Sequence, residues 1–358
     1  MDVMNKTLKK ALLFGFSGAL LSGLGLFNKS VEAAAPANNI GYSVQSIQSD
    51  KQVKESLKQS YFDMQLDAKA EETISVKIFN SSDKALKIRN AVYTASTNDN
   101  GQLEYTKKLE KKDIDKSMKY PLASLTKMDS GSVVTVPAKG SKIVKATITM
   151  PKDSFDGVLL GSWYFEKVDD SAKASSNKKG ISISNAYSYA IGIKILEKKT
   201  VEPNMNLLSV KAGMRNYRKG VFPVFQNDTA VIIPKLTIKS QIMKKGSSTV
   251  LQETTLKNLS MAPNSNFKFP MLYDKGQLES GDYTLKAVAT SGKNTWNFNK
   301  NFTITNDDAS KYNKEAIADP KKPMNPLWYV ALGLGLAILF VLIFFLIKRY
   351  VDKKKADK

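Results

Sequence analysis

Apolar and polar residues alternate along most of this chain with a period of two. Between positions 72 and 79, Ile74, Val76 and Ile78 fall on one face, with polar neighbours between them. From Lys142 to Met150, the same pattern aligns Val144, Ala146, Ile148 and Met150. The longest run carries Ile181, Ile183, Tyr187, Tyr189, Ile191, Ile193 and Ile195. Successive side chains of a strand point to opposite faces, so this period predicts half-buried β-strands. No stretch of the body carries a strong helical period. Pro121 to Leu125 predicts one short helical turn within an insertion of about 25 residues.

Breaks in the alternation divide the chain. Glu166 to Gly180 is polar, small and charged between two apolar runs, and predicts a long hairpin loop. Glu197 to Pro203 is charged and contains Pro, which makes it the best domain boundary. The two sides of that boundary look like distant copies. Each has a strand ending in Asn (Asn80, Asn227), a strand led by Pro (Pro137, Pro263) and a strand led by Gly (Gly157, Gly281), in that order. The Pro-to-Gly interval is 20 residues in the first half and 18 in the second. Short strands at regular spacing predict sandwiches, and Gly281-Asp282-Tyr283-Thr284-Leu285 matches the corner tyrosine of immunoglobulin-like ones, with Leu285 where a Cys would stand. The expected fold is all-β: tandem immunoglobulin-like sandwiches over 37–199 and 203–306, then a linker over 307–326 rich in Asp, Lys and Pro.

Both ends depart from this pattern. Lys6, Lys9 and Lys10 precede an apolar stretch from Ala11 to Phe27, and Val31-Glu32-Ala33 follows. This reads as a signal peptide, residues 1–33, cleaved after Ala33, with Ala35 as the alternative. Four glycines between 15 and 25 weigh against an uncleaved anchor helix. Leu327 to Ile347 is a run of 21 residues without a charge, long enough to cross a bilayer as a helix. Trp328 and Tyr329 stand at its outer edge as interface anchors, and Lys348 and Arg349 open a basic tail over 348–358. The expected topology is a single span, with the bulk outside and the tail in the cytoplasm.

Composition narrows the chemistry. The chain has no Cys, so an exported body must be held by its own cores. It has no His, which removes Ser-His-Asp and Cys-His catalysis and any His-ligated metal. Asp307-Asp308 and Asp113-x-Asp115 lack the ligand count of a calcium loop, and no cofactor motif is present. The carboxylates left for a wall hydrolase, Asp153 with Asp156 or Asp169 with Asp170, lie in predicted turns, where local hydrogen bonding accounts for them. Formal net charge is +21, of which about +15 belongs to the body between residues 34 and 347. An exported body this basic suits anionic wall polymers, with a scattered, solvated surface as the alternative, and export excludes nucleic acid as partner. Tyr164 lies on the strand face opposite Trp163 and Phe165. Lys167, Lys178 and Lys179 follow it in sequence, and these four are the candidate wall contacts. Tyr61, Phe62 and Trp163 read as core.

Several segments resemble one family. They are Tyr61-Phe62-Asp63-Met64, then Glu71-Glu72-Thr73-Ile74 and a strand ending at Asn80, then Met150-Pro151 with Phe155-Asp156-Gly157, then Asn206-Leu207 and the Ser280-to-Leu285 turn. With the two ends, the chain from about residue 40 to 350 is similar to the WxL protein-interacting proteins of low-GC Gram-positive bacteria. The resemblance implies a peptidoglycan-binding-type domain followed by a host- or partner-binding domain, beside surface proteins that carry Trp-x-Leu motifs. None of the three Trp residues here begins such a motif, so the chain reads as a partner of those proteins. The implied role is a non-catalytic, membrane-anchored scaffold bridging peptidoglycan and WxL-type surface proteins or host extracellular ligands. A carboxylate-pair hydrolase and an assembly accessory subunit are the alternatives.

Overall fold

The computed structural model describes residues 41–168, 187–273 and 276–317, with helical residues 333–336, 338–343, 345–347 and 349. The first half holds β1 (Tyr42–Ile47), β2 (Phe62–Gln65), β3 (Glu71–Asn80), β4 (Leu86–Thr94), β5 (Ser96–Thr97), β6 (Leu103–Glu104), β7 (Thr126–Met128), β8 (Val133–Val136), β9 (Ser141–Thr149), β10 (Gly157–Lys167) and β11 (Ser188–Glu197). They form one sheet in the order β1-β3-β9-β7 and another in the order β2-β11-β10-β4-β8, while β5 and β6 make a separate hairpin. The second half holds β12 (Met205–Arg215), β13 (Arg218–Asn227), β14 (Ile233–Lys244), β15 (Val250–Met261), β16 (Ser265–Lys268), β17 (Met271–Leu272), β18 (Gly281–Ser291) and β19 (Asn294–Ile304). Its sheets run β12-β13-β16, with β17 also on β13, and β15-β14-β18-β19.

Alternation decides what each sheet buries. Ile74, Val76 and Ile78 of β3, Val144, Ala146 and Ile148 of β9, and Ile191, Ile193 and Ile195 of β11 all enter the first core. Trp163 and Phe165 stack there, and the Trp163 Nε1–H donates to Asn90 Oδ1 at 3.0 Å. A second core is built around Phe225, Phe267 and Phe269, with Phe298 against Phe225. Tyr283 Oη donates to the Glu279 carbonyl at 2.9 Å, a tyrosine corner.

The copied turns have a physical basis. Asn80 Nδ2 donates to the carbonyls of Lys84, Val136 and Pro137, while its Oδ1 accepts from Ser82. Asn227 Nδ2 donates to Val231 and Ala262, and its Oδ1 accepts from Thr229. In both halves a buried amide ties its own turn to the residue before the Pro-led strand. These two Asn-x-Ser/Thr sequences are therefore internal plugs.

The sandwiches belong to one compact unit. The β5–β6 hairpin reaches from the first to the second: Thr97 Oγ1 lies 2.6 Å from Ser265 Oγ, and Ser260 N donates to Gly101 O at 2.8 Å. Ala95, Val158, Leu160 and Ala262 form a small apolar cluster at the junction. Val158 N also donates to Ala230 O at 2.7 Å.

Two expectations change. Residues 306–315 form a helix, α1 (Asn306–Glu315), where a linker was expected. Thr305 caps it by accepting from Asp308 N, and Asp307 and Asp308 sit in its first turn, where negative charge is favoured. Asn313 exchanges two hydrogen bonds with the backbone of Leu278, so the helix is tied to the second sandwich. Tyr61 was expected in the core and is instead 37 % exposed. Among the described residues no helix is long and apolar enough to cross a membrane. The signal segment, Ile181, Ile183, Trp328, Tyr329 and Lys348 lie outside the described residues, and Arg349 is exposed.

Candidate functional site: a tyrosine face on the first sandwich

The inward side of β10 is core, so its alternate residues, Ser162, Tyr164 and Glu166, must face outward. Register places Ser162 beside Tyr93 of β4 and Gly192 of β11, and Tyr164 beside Ala91 and Ala190. The small neighbours leave the tyrosine rings uncovered from the sides. Tyr93 and Tyr164 meet with ring centroids 5.3 Å apart and planes tilted by 31°. Tyr61 lies over Gly192, where an added Cβ would stand 3.4 Å from its own Cβ. Tyr105, which follows β6, crosses the same face, and its carbonyl accepts from Ser162 Oγ at 2.5 Å. Four tyrosines from four separate segments thus share one side of one sheet.

Charge flanks them. Arg89 Nη1 pairs with Glu166 Oε2 at 3.2 Å one row beyond Tyr164, and Lys194 pairs with Asp63 at 3.0 Å on the other side. Burial, then Tyr164 and Glu166, push the Tyr93 phenol above its ordinary value, against the pull of Arg89. Burial and then Tyr61 do the same for Tyr105. Both phenols stay neutral at physiological pH and can donate or accept hydrogen bonds. A flat aromatic surface edged by hydroxyls and ion pairs can pack against the C–H face of a sugar ring while bonding its rim.

Of the sequence candidates, Tyr164 lies on this face, against Tyr93. Lys167 is exposed at the end of β10, and alternation turns it away from Tyr164. Lys178 and Lys179 lie outside the described residues. Arg89 and Lys87 of β4 supply the cations on the tyrosine side instead. Tyr93, Tyr105 and the outward placement of Tyr61 escaped sequence reasoning, because strand pairing alone brings these segments together.

Of the carboxylates weighed for hydrolysis, Asp169 and Asp170 lie outside the described residues, and the other two are engaged separately. Asp153 pairs with Lys119 and Asp156 with Lys199, each at 3.7 Å. Asp115 is buried between the two sandwiches and accepts from Gln226 Nε2 at 2.7 Å, from Asn266 Nδ2 and from Ser117. Burial raises its pKa, but the bonds from Asn266, Ser117 and Gln226 together hold it below the ordinary carboxylate value. Among the described residues no group of three or more acidic side chains could hold a metal ion.

Residues 42–167 match the WxL interacting protein peptidoglycan binding domain, and residues 178–314 match the WxL interacting protein host binding domain. The chain belongs to the WxL interacting protein family. The tyrosine face therefore lies in the family's peptidoglycan binding domain, and α1 in the segment matched to its host binding domain. No curated protein matches the chain. Solved structures with some likeness include the class 5 fimbriae chaperone CfaA, 17 % identical, with a TM-score of 0.27, covering 68 % of this chain and 96 % of its own. The E. coli chaperone DraB is 13 % identical, with a TM-score of 0.27, covering 74 % and 98 %. The CsuC–CsuE complex of Acinetobacter baumannii gives 12 % identity and a TM-score of 0.29, covering 67 % and 94 %. Likenesses this weak decide nothing about this chain.

Proposed function

We propose that this chain is a non-catalytic scaffold of the cell surface. It is anchored by the apolar segment 327–347, with its immunoglobulin-like sandwiches outside the membrane and its basic tail in the cytoplasm. The first sandwich holds peptidoglycan, and the second holds a WxL-type surface protein or a host ligand. The observation that carries the reading is the family's two binding domains in tandem on one chain, the first presenting a tyrosine face suited to sugar rings. The uncharged span, its flanking Trp328 and Tyr329 and the following Lys348 and Arg349 support the anchor. Two sites on one tether raise the effective concentration of each ligand at the other, so modest affinities suffice.

The test is co-sedimentation with purified peptidoglycan, alongside capture of a surface protein bearing Trp-x-Leu motifs. Retention of both by the same molecule, without release of soluble sugar fragments, is expected. Release of fragments, or retention of neither at low salt, overturns the proposal.

A further inference from the structure

The outer face of β12-β13-β16 carries a cleft of about 600 Å³. Its floor is Phe222 and Val224, which alternate outward on β13 while Val221 and Phe225 enter the core. Gly213 of β12 makes room for the floor, since a Cβ there would stand 3.0 Å from the Phe222 ring. Lys211 lies directly across from Phe222, and Lys268 directly across from Val224 on the other side. An apolar stripe thus runs between two lysines. Both are exposed, and neither has an ion-pair or hydrogen-bond partner among the described residues.

Tyr312 of α1 walls one side. Asp99, carried by the β5–β6 hairpin of the first sandwich, walls another. Arg215 fixes that hairpin by donating to Asp99 O at 2.9 Å and Asn100 Oδ1 at 2.7 Å. The Arg215 guanidinium is thereby engaged, whereas the two lysine side chains make no ion pair among the described residues. Lys311, Glu315 and the Asp99 carboxylate complete the charged lining, which holds more cations than anions. The cleft is a joint product of both domains.

Phe222 and Val224 stand two residues apart on a strand, about 6.6–6.8 Å along it. An extended peptide lying alongside repeats that spacing, because its side chains at i and i+2 share a face. We infer that this cleft binds an extended acidic peptide segment of the chain's protein partner. Two apolar side chains at i and i+2 rest on Phe222 and Val224, and flanking carboxylates meet Lys211 and Lys268. Trp-x-Leu has this spacing, so the inference rests on the proposed partnership with proteins of that type and locates it.

The experiment uses the full chain in detergent and a fluorescein-labelled peptide, Asp-Asp-Trp-Ser-Leu-Asp-Asp, read by anisotropy. The control is an isomer with Trp and Leu adjacent. Saturable binding is expected, at least tenfold tighter than to the isomer, and weakened at least tenfold by the double substitution K211E/K268E. Equal affinity for peptide and isomer, or no effect of the double substitution, overturns the inference. Capture of an intact Trp-x-Leu protein separates this from the wider reading. Equal capture by the parent chain and K211E/K268E sinks the cleft but keeps the partnership. Specific peptide binding without any capture of the intact protein keeps the cleft as an acidic-peptide site and sinks the partnership.

Discussion

Replacing Asp115 with Ala tests how the two sandwiches are held together. The side chain is 7 % exposed, and its carboxylate accepts from Gln226 Nε2 at 2.7 Å and from Asn266 across the junction, besides closing its own turn through Ser117. Hydrogen bonds to a charged acceptor contribute about 1.5–3 kcal/mol each, and removal leaves a buried amide donor unpaired. Releasing the carboxylate from burial offsets part of that loss, so the net destabilisation expected is about 2–4 kcal/mol. At about 2–4 °C per kcal/mol, the midpoint of thermal unfolding falls by roughly 4–16 °C. The pH dependence has a definite sign. A carboxylate whose pKa is lowered on folding stabilises above its unfolded value and loses that contribution as pH falls through the folded value. Calorimetry from pH 7 down through the acid range should therefore show the difference between parent and Asp115→Ala shrinking below the ordinary carboxylate range. An unchanged midpoint at pH 7, or a difference that grows on acidification, refutes this account of the junction.

Other perturbations address the same framework. Gly157→Ala places a Cβ 2.5 Å from both Cβ and O of Ala230, at a φ of +124°, and should cost about 2–4 kcal/mol with faster proteolysis between residues 197 and 205. Asn227→Ala removes two donated and two accepted hydrogen bonds at a fully buried site and should lower stability by about 2–4 kcal/mol in chemical denaturation. Asn80→Ala should do the same through the first sandwich, and parent-like stability of both would dismiss the plug. Trp163→Phe keeps the stack with Phe165 but strips Asn90 Oδ1 of its donor, at about 2–3 kcal/mol by the same assay.

Sequence patterning reached the strands because alternation is a local property. Ile74, Val76 and Ile78, or Val144 to Ile148, carry their burial in their own spacing. It also reached the duplicated turn, since Asn80 and Asn227 act on residues four positions on and on a Pro-led strand. It missed α1 because an Asp-, Lys- and Asn-rich segment resembles a linker, and only Ala309 of its ten residues is buried. It weighed Asp115 only as half of a calcium pair and missed its place at the junction, because its partners stand 111 and 151 residues away. The tyrosine face shows the same limit. Alternation turned Tyr164 outward, but Tyr61, Tyr93 and Tyr105 join it through strand order alone, and the sequence-near Lys167 turns the other way.

The central claim is that the first sandwich holds the wall through this face. Its most direct test is co-sedimentation of the full chain, parent against Tyr93→Ala with Tyr164→Ala, on purified peptidoglycan at fixed ionic strength. Both rings are half-exposed, so the double substitution should leave the unfolding midpoint within a few degrees. Wall affinity should fall at least tenfold, with capture of the protein partner unchanged. Undiminished wall retention by a correctly folded double variant would contradict the account.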